Sequence, residues 1–440
     1  MQSFSILLRF VRLSFSDPRL TLRLFSPTRF FNALALLFKH PSELHQVFKN
    51  YQSIYGVTNN KNPIDLLETC RATKAPVDIF IFPVIDWHYR YQRPQHIACG
   101  LGRLGYRVFY VATSPLMASN DGRFIVTEHP AQGVFLCKLR STSGIFGNLH
   151  QMKMSNSDCD SLSTSLKALM QSVDSVQPPV IILNHPYWTP LLKNIKACST
   201  IYDCMDHHAG FSEGANDWLE GEIELLKVAD HVVTTSTWLH DHVATIRDSV
   251  LIRNGCEFLR FSQATDILQT AKPTVGYVGA ISDWFDMALV ISAARKFTEW
   301  EFVLVGSTMG CDTSTAKLEP NIQFIGEVSY DRVSFYVQGF DVCIIPFRAT
   351  SLTQATNPVK VYEYLAAGKP VVSSSLPEAL LLNTLIYSAH STHDFLLKLE
   401  LAMAESKDQN IATKRQQWAK DQDWSKRVAV FAQLFGVGSI

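Results

Sequence analysis

The sequence predicts an α/β protein built from two doubly wound, Rossmann-like domains that face each other across a cleft. Three observations carry this reading. From residue 77 onward, short apolar runs rich in β-branched residues alternate with amphipathic segments of helical length. The alternation breaks once, over 262–273, where polar residues lead into Lys272-Pro273, and it then resumes. The chain, at 440 residues, is long enough to bury two large cores.

In the first half VDIFIFPV (77–84), RVFYVAT (107–113), VIILNHP (180–186), STIYDCM (199–205), ADHVVTTS (229–236) and SVLIRNG (249–255) read as strands. Residues 124–140 read as an extra strand pair, followed by a Ser-rich loop over 141–165. In the second half the strands are TVGYVGAI (274–281), EFVLVGS (301–307), NIQFIGEV (321–328), DVCIIPF (341–347), KPVVSSS (369–375) and LIYSAH (385–390). A last helix over 411–436 carries Trp418 and Trp424. The expected organisation is an N-terminal extension (1–70), a first domain (71–265), a second domain (266–410) and a C-terminal helix (411–440).

Composition narrows the function classes. Forty Lys and Arg balance forty Asp and Glu, so bulk charge gives no argument for nucleic acid as a partner. The nine cysteines are scattered with no C-x-x-C pair, the usage of a reducing compartment rather than a disulfide frame. No apolar stretch reaches the roughly 20 residues that span a bilayer, and the N-terminus lacks the apolar core and cleavage site of a secretory signal. A cytoplasmic protein is expected. Its first forty residues carry Arg9, Arg12, Arg19, Arg23, Arg29 and Lys39 against Asp17 alone, interleaved with Phe4, Leu7, Leu8, Val11, Phe15, Phe30 and Phe31. Two readings fit this pattern. Residues 1–40 lie on an anionic membrane surface, at the inner face of the cell membrane, each basic residue adding about 1 kcal/mol; or they form a helical hairpin on the protein's own surface.

The most informative stretch is NPVKVYEYLAAGKPVVS (357–373), a helix followed by a buried strand. Asn357 suits the cap, Pro358 the first turn and Gly368 the exit. The helix opens just past the carboxyl end of the 341–347 strand, where α/β sheets bind ligands. Its N-terminus offers N–H groups and partial positive charge, Lys360 adds a full charge, and Glu363 shares the face of Lys360. A cation beside an anionic acceptor suits a ligand with both phosphates and hydroxyls, such as a nucleotide sugar.

This segment resembles the donor-site signature of two-domain glycosyltransferases of the GT-B fold, the group that includes family 4. The resemblance implies that Glu363 holds the nucleotide's ribose hydroxyls. The family's usual form has a second Glu eight residues earlier, where this chain has Ala355. Retention against inversion is therefore left open. GYVGAISDWFD (276–286) resembles a block of teichuronic-acid-type polysaccharide glycosyltransferases. Gly279 allows close approach of a ligand, and Trp284 and Asp286 follow it as donor-side candidates, the alternative being a solvated acidic loop with a packing Trp. The broader group places an Arg and a Lys after this strand; here the phosphates are left to the helix at Asn357, to Lys360 and to Arg348.

In the first half DWHYRYQRPQHI (86–97) resembles the family's entry loop. Trp87, Arg90 and Arg93 are the acceptor-side candidates, since aromatic faces suit sugar rings and guanidinium suits phosphate or carboxylate; alternatively Arg93 and Gln95 start a helix with local salt bridges. His185, at a strand end, matches a family His near the transferred sugar. Asp206, in the loop after the next strand, is the candidate general base on an acceptor hydroxyl, or else a helix cap; Asp203 ranks behind it. Asn254-Gly255 reads as turn geometry.

Three further patterns carry no function. Gly100–Gly105 fits G-x-G-x-x-G but precedes a strand instead of following one, so helix packing and a C-cap explain it. Asp158-Cys159-Asp160 fits helix capping, and the pairs His207-His208 and His240/His242 lack zinc spacing. No metal or resident cofactor is expected; a UDP- or GDP-linked sugar is the co-substrate. The resemblance implies a glycosyltransferase moving sugar from a nucleotide sugar to a lipid-linked or polysaccharide acceptor in cell-surface glycan synthesis. Its rivals are a nucleotide-sugar epimerase of the same fold and a non-catalytic scaffold.

Overall fold

The computed structural model describes residues 63–116, 123–142, 149, 153–208 and 216–436, all within one compact unit, residues 59–440. The proposed membrane segment, residues 1–40, lies outside the described residues. Among the described residues no helix is long and apolar enough to cross a membrane.

A short helix, α1 (Pro63–Ala72), leads into the first sheet, which has eight strands in the order β3-β4-β2-β1-β5-β6-β7-β8. They are β1 (Asp78–Phe82), β2 (Arg107–Val111), β3 (Phe124–Ala131), β4 (Val134–Leu139), β5 (Val180–Leu183), β6 (Ser199–Cys204), β7 (His231–Thr234) and β8 (Val250–Leu251). All neighbours run parallel except the hairpin β3–β4, which joins the edge through β4. The inner strands β1, β2, β5 and β6 are buried on both faces, as a sheet sandwiched by helices requires. In β1, Phe80 and Phe82 feed one core while Ile79 and Ile81 feed the other. The helices between strands are α2 (Arg93–Arg103), α3 (Asn156–Ser172), α4 (Asn216–Val228) and α5 (Thr237–Ala244).

A short α6 (Phe258–Ser262) precedes the second sheet, which is wholly parallel in the order β11-β10-β9-β12-β13-β14. Its strands are β9 (Thr274–Val278), β10 (Glu301–Val305), β11 (Ile322–Gly326), β12 (Val342–Ile345), β13 (Val371–Ser374) and β14 (Tyr387–Ala389). Around them lie α7 (Met287–Lys296), α8 (Tyr330–Gly339), α9 (Ser351–Ala355), α10 (Val359–Ala366), α11 (Pro377–Leu380) and α12 (Thr392–Ala404). Both sheets reverse strand order in mid-sheet, beside β1 and beside β9, and ligands of such folds bind outside the carboxyl strand ends at that point.

The C-terminal segment departs from the expected single helix. It forms α13 (Gln409–Lys420) and α14 (Trp424–Gln433). The break has a cause on each side: Asp423 caps α14 through the Ser425 N–H, and Gln422 and Trp424 pair their backbone with Cys256. The first piece packs on the second domain, Trp418 stacking on Tyr362. The second puts Trp424, Val428 and Phe431 into a first-domain core. Gly100 makes that docking possible, since a Cβ there would stand 2.4 Å from Val428 Cγ2. Gly255 serves the same crossing: a Cβ on it would meet the Gln422 carbonyl at 2.4 Å, so close packing, not turn geometry, is its role.

Two local expectations also change. The Ser-rich stretch is cut short by α3, whose cap is Ser155; Asp158 sits in the first turn and accepts from the Ser141 and Thr142 hydroxyls. Only Val250 and Leu251 of the run 249–255 pair as strand, because β8 is an edge with one neighbour.

Candidate active site

Three adjacent strands of the second sheet run out into glycine. Gly279 follows β9, Gly306 follows β10 and Gly326 closes β11, with φ of +146°, +148° and +84°. These conformations favour a residue without Cβ. A Cβ built on Gly306 would lie 1.8 Å from the Gly279 carbonyl oxygen, and one on Gly279 would lie 2.7 Å from Lys360 Cε. The carboxyl ends of β9–β11 thus form a shelf of bare backbone with Lys360 at its margin.

Lys360 stands in the first turn of α10, its Nζ 5.3 Å from the ring centroids of both Tyr277 and Phe347. Among the described residues no hydrogen bond or ion pair reaches this ammonium. Burial lowers its pKa to about 8, the charge of Arg90 works the same way, and Glu363 opposes both. The carboxylate of Glu363, a residue 8% exposed, accepts no hydrogen bond among the described residues; only its backbone carbonyl does, from the Ala367 N–H. Burial raises its pKa to about 7 against the pull of Lys360, and the Tyr330 hydroxyl lies beside it, short of hydrogen-bond geometry. A buried carboxylate beside a half-buried ammonium, neither with a hydrogen-bond partner among the described residues, is costly in a folded protein. Their arrangement matches a ligand that brings both hydroxyl donors and negative charge.

The other donor-side candidates have different duties. Asn357 does not cap α10; Pro358 is the capping residue. The Asn357 side chain accepts from the Asn254 N–H at 2.9 Å and donates to Glu378 at 2.8 Å and to the Tyr362 hydroxyl at 3.0 Å. It ties α10 to the first domain and is fully occupied there. Asp286 caps α7 through the Leu289 N–H. Trp284 is half-buried against the second core, its carbonyl accepting from the Arg348 N–H. Arg348 is exposed, and its guanidinium reaches the Asp283 carbonyl at 3.4 Å. Ala355, where the family has its second Glu, is fully buried in a first-domain core, and its carbonyl accepts from the Ser236 hydroxyl at 2.6 Å.

On the first-domain side the strand ends are largely filled by their own side chains. Arg93, 1% exposed, donates through Nε and Nη2 to Asp203 at 2.9–3.0 Å and through Nη1 to Asn254. Asn184 donates to the same carboxylate at 3.2 Å. This corrects the expectation of Arg93 as an acceptor contact: it is turned inward, where a guanidinium without an acceptor would be untenable. Trp87 packs edge-on against Tyr110 and Tyr91, with its ring on the first core. His185 is buried at the cap of the 3₁₀ turn Pro186–Lys193; its Nδ1 accepts from the Tyr187 N–H, which leaves the proton on Nε2. His208 lies edge-on, 4.5 Å between ring centroids.

Asp206 differs from these neighbours. It is half-buried, and no hydrogen bond or ion pair reaches its carboxylate among the described residues. Burial and the adjacent Asp203 raise its pKa to about 7, with Arg93 opposing. A carboxylate poised near neutrality fits proton abstraction. Its loop lies next to the donor domain: the Met205 carbonyl accepts from Thr235, and the next residue, Ser236, bonds Ala355.

Residues 272–400 match the family model described as glycosyl transferases group 1. TuaH of Bacillus subtilis (strain 168), named as a teichuronic acid biosynthesis glycosyltransferase, is 31% identical; the match covers 54% of this chain and 66% of that protein, leaving about a third of it unmatched. The second domain matches the group 1 glycosyl transferases. Solved structures agree on the fold. A sucrose-phosphate synthase from Thermosynechococcus elongatus superposes with a TM-score of 0.66 at 15% identity, over 82% of this chain and 98% of that one. HepE of Anabaena, solved with UDP and glucose, gives 0.54 at 14% identity, over 81% and 98%. At such identities the likeness establishes the architecture, which is GT-B, and nothing finer.

Two features of the site do not stand out in the sequence. Gly306 and Gly326 complete the shelf that Gly279 begins; the signal was a glycine closing each apolar run, in VGYVG, VLVGS and FIGEV. The second is a buried polar chain joining the domains. Glu378, 4% exposed, accepts from the Thr237 N–H, Arg253 and Asn357, and Asn357 continues through Asn254 to Arg93 and Asp203. No local pattern marks it, since its members come from six separate segments.

Proposed function

We propose that this protein transfers a sugar from a nucleotide sugar to a lipid-linked or polysaccharide acceptor in cell-surface glycan synthesis. The observation that carries the reading is the pairing of a bare glycine shelf with Lys360 and Glu363, a cation and a carboxylate for which the described residues offer no hydrogen-bond partner. The diphosphate of a UDP- or GDP-linked sugar lies at the start of α10 beside Lys360, where the helix dipole and the ammonium stabilise charge developing on the leaving group. Glu363 accepts from the ribose hydroxyls. Gly306 and Gly279 let the ligand approach the backbone. No resident cofactor enters the scheme. The bound ligand of HepE and the naming of TuaH support the donor class and the glycan role respectively.

On the facing wall Asp206 takes the proton of the acceptor hydroxyl. The new bond joins that oxygen to the anomeric carbon, and the bond from the anomeric carbon to the phosphate oxygen breaks, its electron pair leaving with the nucleoside diphosphate. Closure of the two domains holds the reactants in line and excludes water. Residues 1–40, basic and amphipathic, hold the enzyme at the cytoplasmic face of an anionic membrane where a lipid-linked acceptor resides. The test is incubation with a panel of nucleotide sugars and membrane extract. Acceptor-dependent release of nucleoside diphosphate with a new glycolipid is expected; interconversion of free nucleotide sugars without acceptor would replace this reading with an epimerase.

A further inference from the structure

The donor site as assembled from the second domain is short of positive charge. Between Gly279 and Met287 there is no Lys or Arg, and Asp283 and Asp286 stand there instead. Arg348 is exposed and turned to the Asp283 carbonyl. Lys360 alone remains, for a ligand that carries two phosphates.

A second cation comes from the other domain. Arg90, in the loop between β1 and α2, donates through Nε to Glu327 Oε1 at 2.8 Å. Glu327 is the residue directly after Gly326, the third glycine of the shelf. From there the shelf is continuous: the Gly306 N–H donates to the Gly326 carbonyl at 2.8 Å, Gly306 abuts Gly279, and Gly279 abuts Lys360. Arg90 is therefore docked on the rim of the same shelf that Lys360 borders. It is also close enough to Lys360 and Tyr277 for its charge to act on both. The contact is supported from behind: Tyr91 stacks on Tyr330 of the second domain with ring centroids 4.8 Å apart, and the Arg90 carbonyl accepts from Gln95 at 2.7 Å. Only Nε of the guanidinium is used by Glu327, which leaves the fork of Nη donors for an oxyanion.

We propose that Arg90, carried by the first domain, is a ligand of the donor's diphosphate, and that Glu327 holds it on the shelf and competes with the nucleotide for it. This rests on the donor reading above and adds the residue that supplies its missing charge. It also gives the enzyme a domain-crossing contact that senses whether a diphosphate is bound. Arg90 was an acceptor-side candidate in the sequence; its ion pair puts it on the donor side.

The two partners of one ion pair then predict opposite effects. Isothermal titration of the full-length protein with UDP and with GDP, beside uridine and guanosine, reads them. Arg90→Ala is expected to weaken binding of the diphosphate form at least tenfold while leaving the nucleoside unchanged, as loss of a charge-assisted bond to phosphate requires. Glu327→Gln is expected to tighten the diphosphate form several-fold, because the competing carboxylate has lost its charge. A latch with no ligand role would move both variants in the same direction, or shift nucleoside and diphosphate together, and either result overturns the proposal. So does an unchanged affinity in both variants while Lys360→Ala weakens binding; in that case the donor reading survives and Arg90 alone is removed from it. Wild-type protein that binds neither UDP nor GDP would overturn both. Unliganded melting temperatures within a few degrees of wild type, with Arg90→Gln as a milder second variant, keep the comparison free of misfolding.

Discussion

The carboxyl strand ends of the two sheets are equivalent in topology and opposite in chemistry. Those of the second sheet are stripped: glycines leave the backbone bare, Lys360 abuts Gly279, and neither Lys360 nor the Glu363 carboxylate has a hydrogen-bond partner among the described residues. Those of the first sheet are filled: Asp203 is occupied by Arg93 and Asn184, and His185 by its own turn. The lesson is that a doubly wound sheet makes a binding site only where its own side chains leave polar groups unsatisfied. Asp206 is the exception on the filled wall, and that is why it stands as the candidate base.

The contrast can be broken from either side. The largest effect is expected at Asp206. Asp206→Asn should lower kcat by about 10²–10⁴-fold, the range for loss of a general base, with nucleotide affinity unchanged. In wild type kcat should rise with pH through about 7 as this carboxyl ionises, and the variant should lose that limb. Comparable kcat in both would return Asp206 to a structural role.

Next comes the filled wall itself. Arg93→Ala leaves Asp203 buried without its cation and should destabilise the fold by about 3–5 kcal/mol in chemical denaturation. A loss below about 1 kcal/mol would mean water has taken the place of the guanidinium and that the wall is less closed than described.

On the stripped wall Glu363→Ala should weaken nucleotide-sugar binding by about 1.5–3 kcal/mol in calorimetry, the worth of a hydrogen bond to a charged group. It should also improve the unliganded fold above pH 7. The folded carboxyl keeps its proton up to about 7 while the unfolded one releases it near 4, so stability falls as pH rises across that window. Removing the carboxyl removes the fall.

The smallest effect sharpens the comparison at Lys360. Its folded pKa of about 8 lies below the ordinary lysine value, so the unfolded state holds more protons between about pH 8 and 10.5 and stability rises with pH there. An arriving diphosphate restores the charged form. At pH 8.5 nucleoside diphosphate binding should therefore take up a fraction of a proton, seen as a dependence of binding heat on buffer ionisation enthalpy. Lys360→Met should abolish it.

Much of this was legible in the sequence, and the reasons are local. The inner strands of both sheets are short apolar runs rich in β-branched residues and buried on both faces, so they stand out from the helices whatever surrounds them. Gly368 ends α10 with φ of +75°, a demand visible in one residue. Lys360 and Glu363 share a face because they are three apart on a helix. Asn357 and Asp286 were read less well, because a capping residue and a ligand residue look alike in sequence. The sequence offers Asn357 as cap and donor contact, but Asn254 of the first domain and Glu378 engage it; it offers Asp286 as a donor contact, and Asp286 caps α7.

What the sequence by itself determined is whatever depends on spacing along the chain: the alternation of elements, the break between domains, the charged pair on the donor helix. Tertiary structure alone decided which polar groups were already satisfied. Arg90 and Arg93 are three residues apart, in the loop before α2 and at the start of α2, yet Arg93 is buried on Asp203 and Arg90 reaches Glu327 across the cleft. The physical reason is that satisfaction of a charge depends on partners more than a hundred residues away, and no local pattern encodes that distance.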